Sequence, residues 1–436
     1  MKIHDFLEVD YALLLSAVLL TVFGILFIYS SSVTTFGVSV SSEYLRQISW
    51  SVSGLVITLV IAMLNYRRIY YVSVYMYLGA LALLVYTCLF GRVVNGARAW
   101  LGIGPFGIQP SEFAKLTTII FLARFLDSTK NSRSDVWRFV ISCVIAFVPM
   151  LIILMQPDFG TSLVFIAILL VMMFISGVAV RYIVFFLVTI SLSGLLLVLP
   201  LWQTHIIGKS IPFLLMLSNK TFITITAGTL SIVFFISLFG YIHNKKIFFY
   251  WISYCALIIV LSLCLSYAGQ KVLKPYQIMR LIVFLDPDID PRGSGWNIIQ
   301  SVTAIGSGGI LGKGYLQGTQ SHYRFLPQQS TDFIFSIYSE EWGFLGGIMV
   351  FLLFLLIIMR LVKIMKTTSD TFGCYISAGL AGMYIFHFLI NVGMAMGIMP
   401  ITGIPLLFMS YGGSALITAM TGIGLALSIH IRRFQY

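Results

Sequence analysis

About twelve runs of mostly apolar residues, each near the ~20 residues that carry a helix across a bilayer, alternate along this chain with short polar breaks. They lie near 11–31, 46–65, 70–91, 110–126, 137–155, 160–177, 181–200, 222–242, 248–268, 344–363, 374–393 and 406–430. Lipid offers no water to the backbone, so each run must satisfy its own N–H and C=O groups, and a helix does so. The expected fold is all-α: a polytopic membrane helix bundle of about twelve transmembrane helices. Gly24, Gly54 and Gly379 fall inside spans, where a missing side chain lets helices approach closely. Between the ninth and tenth runs stands one long polar, glycine-rich segment, 269–343.

Composition agrees with this reading. The chain has 436 residues, 59% hydrophobic and 10% charged, against roughly 25% charged in a soluble domain. A net charge of +12 raises the question of nucleic acid. The basic residues are scattered in short groups, however, and no cluster is long enough to follow a phosphate backbone. They follow the positive-inside pattern instead. Arg67 and Arg68, the segment 130–133, Arg181, Lys245 and Lys246, the segment 360–366, and Arg432 and Arg433 all fall on one side of the predicted spans. With Lys2, that side is expected to be cytoplasmic, as are both termini. The segment 269–343 then faces outward, with shorter loops at 92–109, Gln156–Asp158 and 394–405. The N-terminal stretch shows no small-residue cleavage site, so the first span is expected to stay. One integral-membrane domain, 1–436, is expected, with no soluble domain at either end. Cys88, Cys143, Cys255, Cys264 and Cys374 fall in apolar runs and read as small buried hydrophobes. His387, inside a span, reads as a buried structural residue.

The chain has fifteen acidic residues in all, yet Asp286, Asp288, Asp290, Asp332, Glu340 and Glu341 crowd into or beside the long polar segment. Its FLDPDIDPRGSGW run has the D-x-D-x-D spacing of a calcium loop. Pro291 stands where that loop needs Gly and Asn297 where it needs Glu, so that reading fails. GSGGILGKGY fails as a phosphate loop, because Ser307 and Gly314 occupy its Gly and Ser/Thr positions. A glycine-rich backbone still offers bare N–H groups to an anion, and Arg280, Arg292, Lys313 and Arg324 stand nearby.

Three shorter sites flank it. In NGARAWLGIGPFGIQPSEFAKL, Pro110 suits a first helical turn, with Glu112 at the positive end of the dipole. Glu112 and Lys115 share a face three residues apart and can pair. Arg98 lies two residues from Trp100, an interfacial ring. An ionisable residue inside a span is a functional candidate. In QPDFGTS, Asp158 reads as an N-terminal cap on the same side as the long segment, where a binding role stays open. In the stretch from Asn391 to Ala415, Pro400 and Pro405 interrupt helix and Gly412–Gly413 allow close backbone approach.

Taken together, GARAWLGIGPFGIQPSEFAK, QPDFGTS, DPDIDPRGSGWNIIQS, AIGSGG, FLPQQSTDFIFS and GIPLLFMSYGGSA resemble, in order, the SEDS family (shape, elongation, division and sporulation) of polytopic peptidoglycan glycosyltransferases. The likeness runs from Gly96 to Ala415, and GGILGKGYLQGTQSHYRFLP is closer to the elongation branch than to the division branch. Three departures stand out: Gln328 replaces the family's usual Glu, Leu407 replaces a usual Pro, and the pair 222–268 adds to a usual ten spans.

The resemblance implies polymerisation of lipid II into glycan strands at the outer face of the bacterial cytoplasmic membrane, beside a class B penicillin-binding protein and other elongation-complex membrane proteins. It implies Asp290 as catalytic residue. A carboxylate suits the task of taking a proton from an attacking sugar hydroxyl. Arg98, Trp100, Gln109, Glu112, Lys115, Asp158, Arg280, Lys313 and Asp332 form the expected substrate-binding set, and a divalent cation such as Mg2+ is the one cofactor for which the pyrophosphate leaving group makes room. Two other functions compete: a lipid II flippase, which predicts polar residues through the spans to mid-membrane, and a non-catalytic scaffold for the transpeptidase, which has no use for the acid-rich segment.

Overall fold

The computed structural model describes all residues except 1–8, 35–37, 39, 95, 103–106, 132, 204–215, 217–218, 274, 292 and 435–436. Arg292 and Lys2 of the readings above therefore lie outside the described residues. The chain is a polytopic helical membrane protein. Ten of the described helices are long and apolar enough to cross a bilayer. They are α1 (Tyr11–Ser32), α2 (Glu43–Met63), α3 (Arg67–Phe90), α5 (Asp135–Met155), α7 (Val180–Trp202), α8 (Lys220–Asn244), α9 (Ile247–Val272), α13 (Ile334–Thr367), α14 (Thr371–Ala395) and α15 (Gly413–Ile431). The other two expected spans form α4 (Pro110–Ser128) and α6 (Phe159–Ile175). α4 carries Glu112, Lys115, Arg124 and Asp127, too much charge for an ordinary lipid-facing helix, and α6 has only 17 residues. Both pack against α14.

The helices form two compact units, 1–178 with 300–436, and 179–299. In the first, α14 and α15 are the interior: 72% and 89% of their apolar windows are buried, against 22% for α2. Their composition explains this. Gly, Ala, Ser and Thr recur along both, and small residues let backbones close up where lipid gives no hydrophobic drive. A methyl group on Gly379 would fall 2.7 Å from Ile119, one on Gly24 2.5 Å from the Met409 carbonyl oxygen, and one on Gly54 3.1 Å from Met420. The three glycines expected at close contacts are all at such contacts.

The two ends of this unit differ in chemistry. At one end Asp10 caps α1 and pairs with Arg360 (2.7 Å), Arg67 pairs with Asp370 (2.8 Å), and the Ser369 hydroxyl donates to the Arg433 carbonyl. Arg67, Arg360 and Arg433 thus gather there. At the other end the loops at 92–109, 156–158 and 394–405 meet, as described below.

The second unit holds α7, the α8–α9 hairpin, and a short amphipathic helix α10 (Pro275–Leu285). Only 11% of the α8 window is buried. Cys255 and Cys264 on α9 are exposed and the other three cysteines half-buried, so the expectation of buried thiols is corrected. The reason is that lipid accepts an apolar side chain on the outer face of a helix as readily as protein does.

Much of the segment 269–343 is helical rather than loop. It contains α10, a 3-10 turn over Pro287–Ile289, α11 (Ser294–Ser307), the short α12 (Thr319–His322), and the first turns of α13. α10 buries Ile282 and Val283. α13 breaks at Gly343, whose φ of 63° is open to glycine without penalty. That break lies where the sequence placed the start of the span at 344.

Candidate active site

Pro110 opens α4 as expected, and its missing N–H costs nothing there. One turn on, Lys115 Nζ donates to Glu112 Oε1 at 2.8 Å. Lys115 is fully buried and Glu112 is 1% exposed. The same ammonium lies 2.9 Å from His387 Nε2 on α14, and His387 Nδ1 lies 3.0 Å from the Pro405 carbonyl oxygen. Ser111 and Thr118, on the same face of α4, are buried too.

Asp158 caps α6 through Oδ1, which accepts from the Thr161 backbone N–H at 3.2 Å. Its Oδ2 accepts from Gln109 Nε2 at 2.9 Å, and the Gln109 backbone N–H donates to Ser414 Oγ at 3.0 Å. Burial pushes the Asp158 carboxyl above the usual carboxylate range, opposed by the Thr161 and Gln109 hydrogen bonds and by the attraction of Lys115. Three loops distant in sequence thus meet at one end of the first unit. Gly160 completes the join, because a methyl group there would lie 2.3 Å from the Thr402 carbonyl oxygen.

Asn391, one turn after His387, fastens the remaining loop. Its Nδ2 donates to the Asp332 carbonyl at 2.9 Å and to the Ile404 carbonyl at 2.8 Å. The Asp332 carboxylate then lies beside Gly403, where a methyl group would be 3.6 Å from Oδ2. Gln328 has a left-handed backbone (φ 51°), and its carbonyl accepts the Asp332 N–H at 3.1 Å. Its backbone closes this turn, and its side chain, which departs from the family pattern, accepts from the Thr331 hydroxyl at 3.2 Å. The SYGGSA stretch is stitched in by Ser410 Oγ, which donates to the Thr331 carbonyl at 2.6 Å. Gln47 Nε2 donates to the Ser410 carbonyl at 3.2 Å.

Arg98 and Trp100 lie on a two-stranded hairpin, β1 (Arg92–Val94) and β2 (Ala97–Trp100), turned at Gly96 (φ 83°). The Arg98 backbone N–H donates to the Gln156 carbonyl at 3.1 Å, so the hairpin is tied to the Asp158 loop. Its guanidinium is exposed and reaches the Leu89 carbonyl at 3.4 Å.

Lys313 is placed elsewhere. Its Nζ binds Glu340 Oε1 at 2.7 Å, and the same oxygen accepts the backbone N–H groups of Thr319 (2.8 Å) and Gln320 (3.0 Å). Glu341 accepts from the Leu316 N–H at 3.0 Å and from the Ser30 hydroxyl. These two fully buried acids clamp the glycine-rich 308–320 segment onto α13. Gly312 (φ 82°) passes closest, and a methyl group there would lie 2.1 Å from the Glu341 carbonyl oxygen. Gly312→Ala is therefore expected to cost at least about 1–3 kcal/mol in strain, seen as a lower thermal midpoint of the purified protein in detergent. An unchanged midpoint would mean the segment is not held this way.

Asp290 and Arg280 belong to the second unit. Arg280 is half-buried on α10. Asp290 follows the 3-10 turn, which Pro287 opens and Asp286 caps through its own carboxylate. The Asp290 carbonyl accepts from the Gly293 (3.2 Å) and Gly295 (3.0 Å) N–H groups. The sequence DPRGSG suits this turn. A methyl group on Gly293 would lie 2.2 Å from Asp290 Oδ2, and one on Gly295 2.2 Å from the Pro287 carbonyl oxygen. The Asp290 carboxylate is thus half-buried against bare backbone.

Of the expected binding residues, Gln109, Glu112, Lys115 and Asp158 come together. Asp332 is held at the Asn391 junction, Arg98 and Trp100 sit on the attached hairpin, and Lys313 serves the acid clamp. His387 reads as structural in the sequence, where its only signal is a polar type inside an apolar run; Asn391 and Ser414 lie in the stretch singled out from Asn391 to Ala415 but are not named in the expected binding set.

A family model described as a cell cycle protein, for FtsW, RodA and SpoVE, matches residues 11–210 and 206–435. The peptidoglycan glycosyltransferase RodA of Treponema pallidum (strain Nichols) is 49% identical over 438 residues, covering 99% of this chain and 100% of that protein. The peptidoglycan glycosyltransferase MrdB of Escherichia coli (strain K12) is 33% identical over 435 residues, covering 98% and 95%. Among solved structures, a chain from work on the structural coordination of polymerization and crosslinking by a peptidoglycan synthase complex is 27% identical, with a TM-score of 0.68 over 98% of this chain and 99% of that one. The rod shape determining protein RodA of Thermus thermophilus, 23% identical with a TM-score of 0.61 over 98% of each chain, shares the fold.

Proposed function

This chain belongs to the FtsW, RodA and SpoVE family, and from that premise we propose that it is a peptidoglycan glycosyltransferase of the elongation type, polymerising lipid II with Asp290 as general base. The observation that carries the site reading is the buried Lys115–Glu112–His387 cluster under the Gln109–Asp158 rim.

In the proposed step the 4-hydroxyl oxygen of the acceptor sugar attacks the anomeric carbon of the donor and gives its proton to the Asp290 carboxylate. The bond from that carbon to the pyrophosphate oxygen breaks, and undecaprenyl pyrophosphate leaves with the electron pair. One displacement inverts the centre, from an α-linked donor to a β-linked strand. The leaving group is already stable as an anion, so it has less need of a proton than of fixed positive charge. Lys115 of the first unit is a proposed substrate-binding cation, its ammonium held by Glu112 and His387 before substrate arrives. Arg98 and Arg280 are the further cations. The divalent cation considered from the sequence finds no ready ligand set: among the described residues no three His, Cys, Asp or Glu side chains are grouped to hold a metal ion.

The side bearing Asp158, Gln109 and the hairpin is taken as outer, with both termini cytoplasmic, because Arg67, Arg360 and Arg433 lie at the opposite end of the first unit. A class B penicillin-binding protein is the proposed partner, within a larger set of elongation-complex membrane proteins. Support for it comes from the likeness to a chain studied in a complex that couples polymerization to crosslinking. The pair α8–α9 is taken as an addition to the family core.

The test is a purified-protein assay with labelled lipid II in vesicles, with and without the class B partner. Glycan polymer is expected. Movement of lipid II between leaflets without polymer would favour a flippase, and neither would favour a scaffold.

A further inference from the structure

We propose that His387 is a positioning residue: its neutral imidazole, anchored on the Pro405 carbonyl, holds the Lys115 ammonium in place as a preorganised charge for the reaction. This rests on the glycosyltransferase reading above and gives a role to a histidine that the sequence left as structural.

The geometry decides the proton inventory. A backbone carbonyl can only accept, so the 3.0 Å contact from His387 Nδ1 to the Pro405 oxygen requires the proton on Nδ1. In a neutral ring Nε2 then carries a lone pair, and the Lys115 ammonium donates to it at 2.9 Å. Protonation of Nε2 would set an N–H against an ammonium, with no acceptor between them. The ring is therefore expected to stay neutral beside Lys115. His387 and Lys115 are 1% and 0% exposed, so neither position is set by solvent.

The arrangement has a directional consequence. With Glu112 alone, Nζ would be drawn toward one carboxylate and could swing about it. A second acceptor from α14 fixes the ammonium between two helices. The anchor is well placed for this, because Pro405 lies in the 394–405 loop that Asn391 also fastens, through the Ile404 carbonyl at 2.8 Å. The position of Lys115 is thereby coupled to the same loop that receives Gly160 and that carries Gly403 beside Asp332. Histidine suits the role because it offers a donor and an acceptor at opposite edges of a rigid ring. A leucine of similar bulk offers neither, and glutamine offers one amide oxygen near the place of Nε2.

Two measurements test this. In the first, the full-length protein with its partner is assayed for lipid II polymerisation. His387→Leu is expected to lower kcat at least about 10-fold with a smaller change in KM, and His387→Gln to recover most of it, because one preorganised hydrogen bond is worth about that factor or more. Equal losses in folded Leu and Gln variants, or wild-type kcat in both, would overturn the positioning role while polymerisation by the wild type leaves the glycosyltransferase reading intact. If the wild type forms no polymer, both fall together. The second needs no folded variant beyond His387→Gln. Solid-state NMR of 15N-histidine-labelled wild type, with the His387 signals assigned by their loss in that variant, is expected to show Nδ1 protonated and Nε2 bare at neutral pH. An Nε2–H tautomer or an imidazolium there would overturn the proposal whatever the activity.

Discussion

Asp290→Asn protein is expected to insert, fold and bind its partner normally, while polymerising lipid II about 100-fold to 10,000-fold more slowly, the usual contribution of a general base. The substitution keeps the size of the side chain and its contact with Gly293. The Gly293 and Gly295 N–H groups bind the Asp290 main-chain carbonyl, which asparagine retains. What is lost is a proton acceptor. An unchanged thermal midpoint with lost polymer would separate chemistry from folding. Robust polymer from the purified variant would remove Asp290 from the role of base and turn attention to Asp286 and Asp288. Asp286 already accepts the Asp288 N–H at 3.1 Å as the cap of the turn, so its substitution is expected to disturb structure as well.

Lys115→Met carries the second large effect, and here stability and activity fall together. Removing the ammonium leaves Glu112 in the protein interior with its charge unpaired, a change that costs about 3–5 kcal/mol in comparable buried pairs. It also removes the fixed cation, for which a loss of about 100-fold to 1,000-fold in kcat is expected. The two can be separated. Adding Glu112→Gln removes the orphaned charge and is expected to restore most of the thermal stability without restoring polymerisation. Recovery of both in the double variant would mean that the pair is only a packing device. Full activity in Lys115→Met alone would remove the cation from the reaction.

The two variants also probe different units of the fold. Asp290 is set by local turn chemistry within the second unit. Lys115 is set by packing between α4 and α14 in the first. The turn at Asp290 is made by Pro287, Gly293 and Gly295, all within a few residues of it. A lysine within an apolar run says only that something must compensate it. Glu112, three residues before, was the visible half of the answer. His387, distant in sequence, was the other half.

From the sequence alone came the elements and their chemistry: helices where lipid forbids other backbone, Pro110 and Asp158 at helix starts, a Glu112–Lys115 pair at helical spacing, and basic loops at one end. These depend on neighbours within a turn or two, or on the solvent, and so are written locally. Only the tertiary structure decided what lies across each interface. It spent Lys313, expected on substrate, against Glu340, and it made Glu340 and Glu341 the clamp of a backbone segment rather than part of an acidic site. It joined Gln109 to Asp158 and His387 to Lys115. Such partners follow from how helices far apart in the chain are turned toward one another. Inside a bilayer every buried charge must find an acceptor or donor, yet the sequence does not say which helix will supply it.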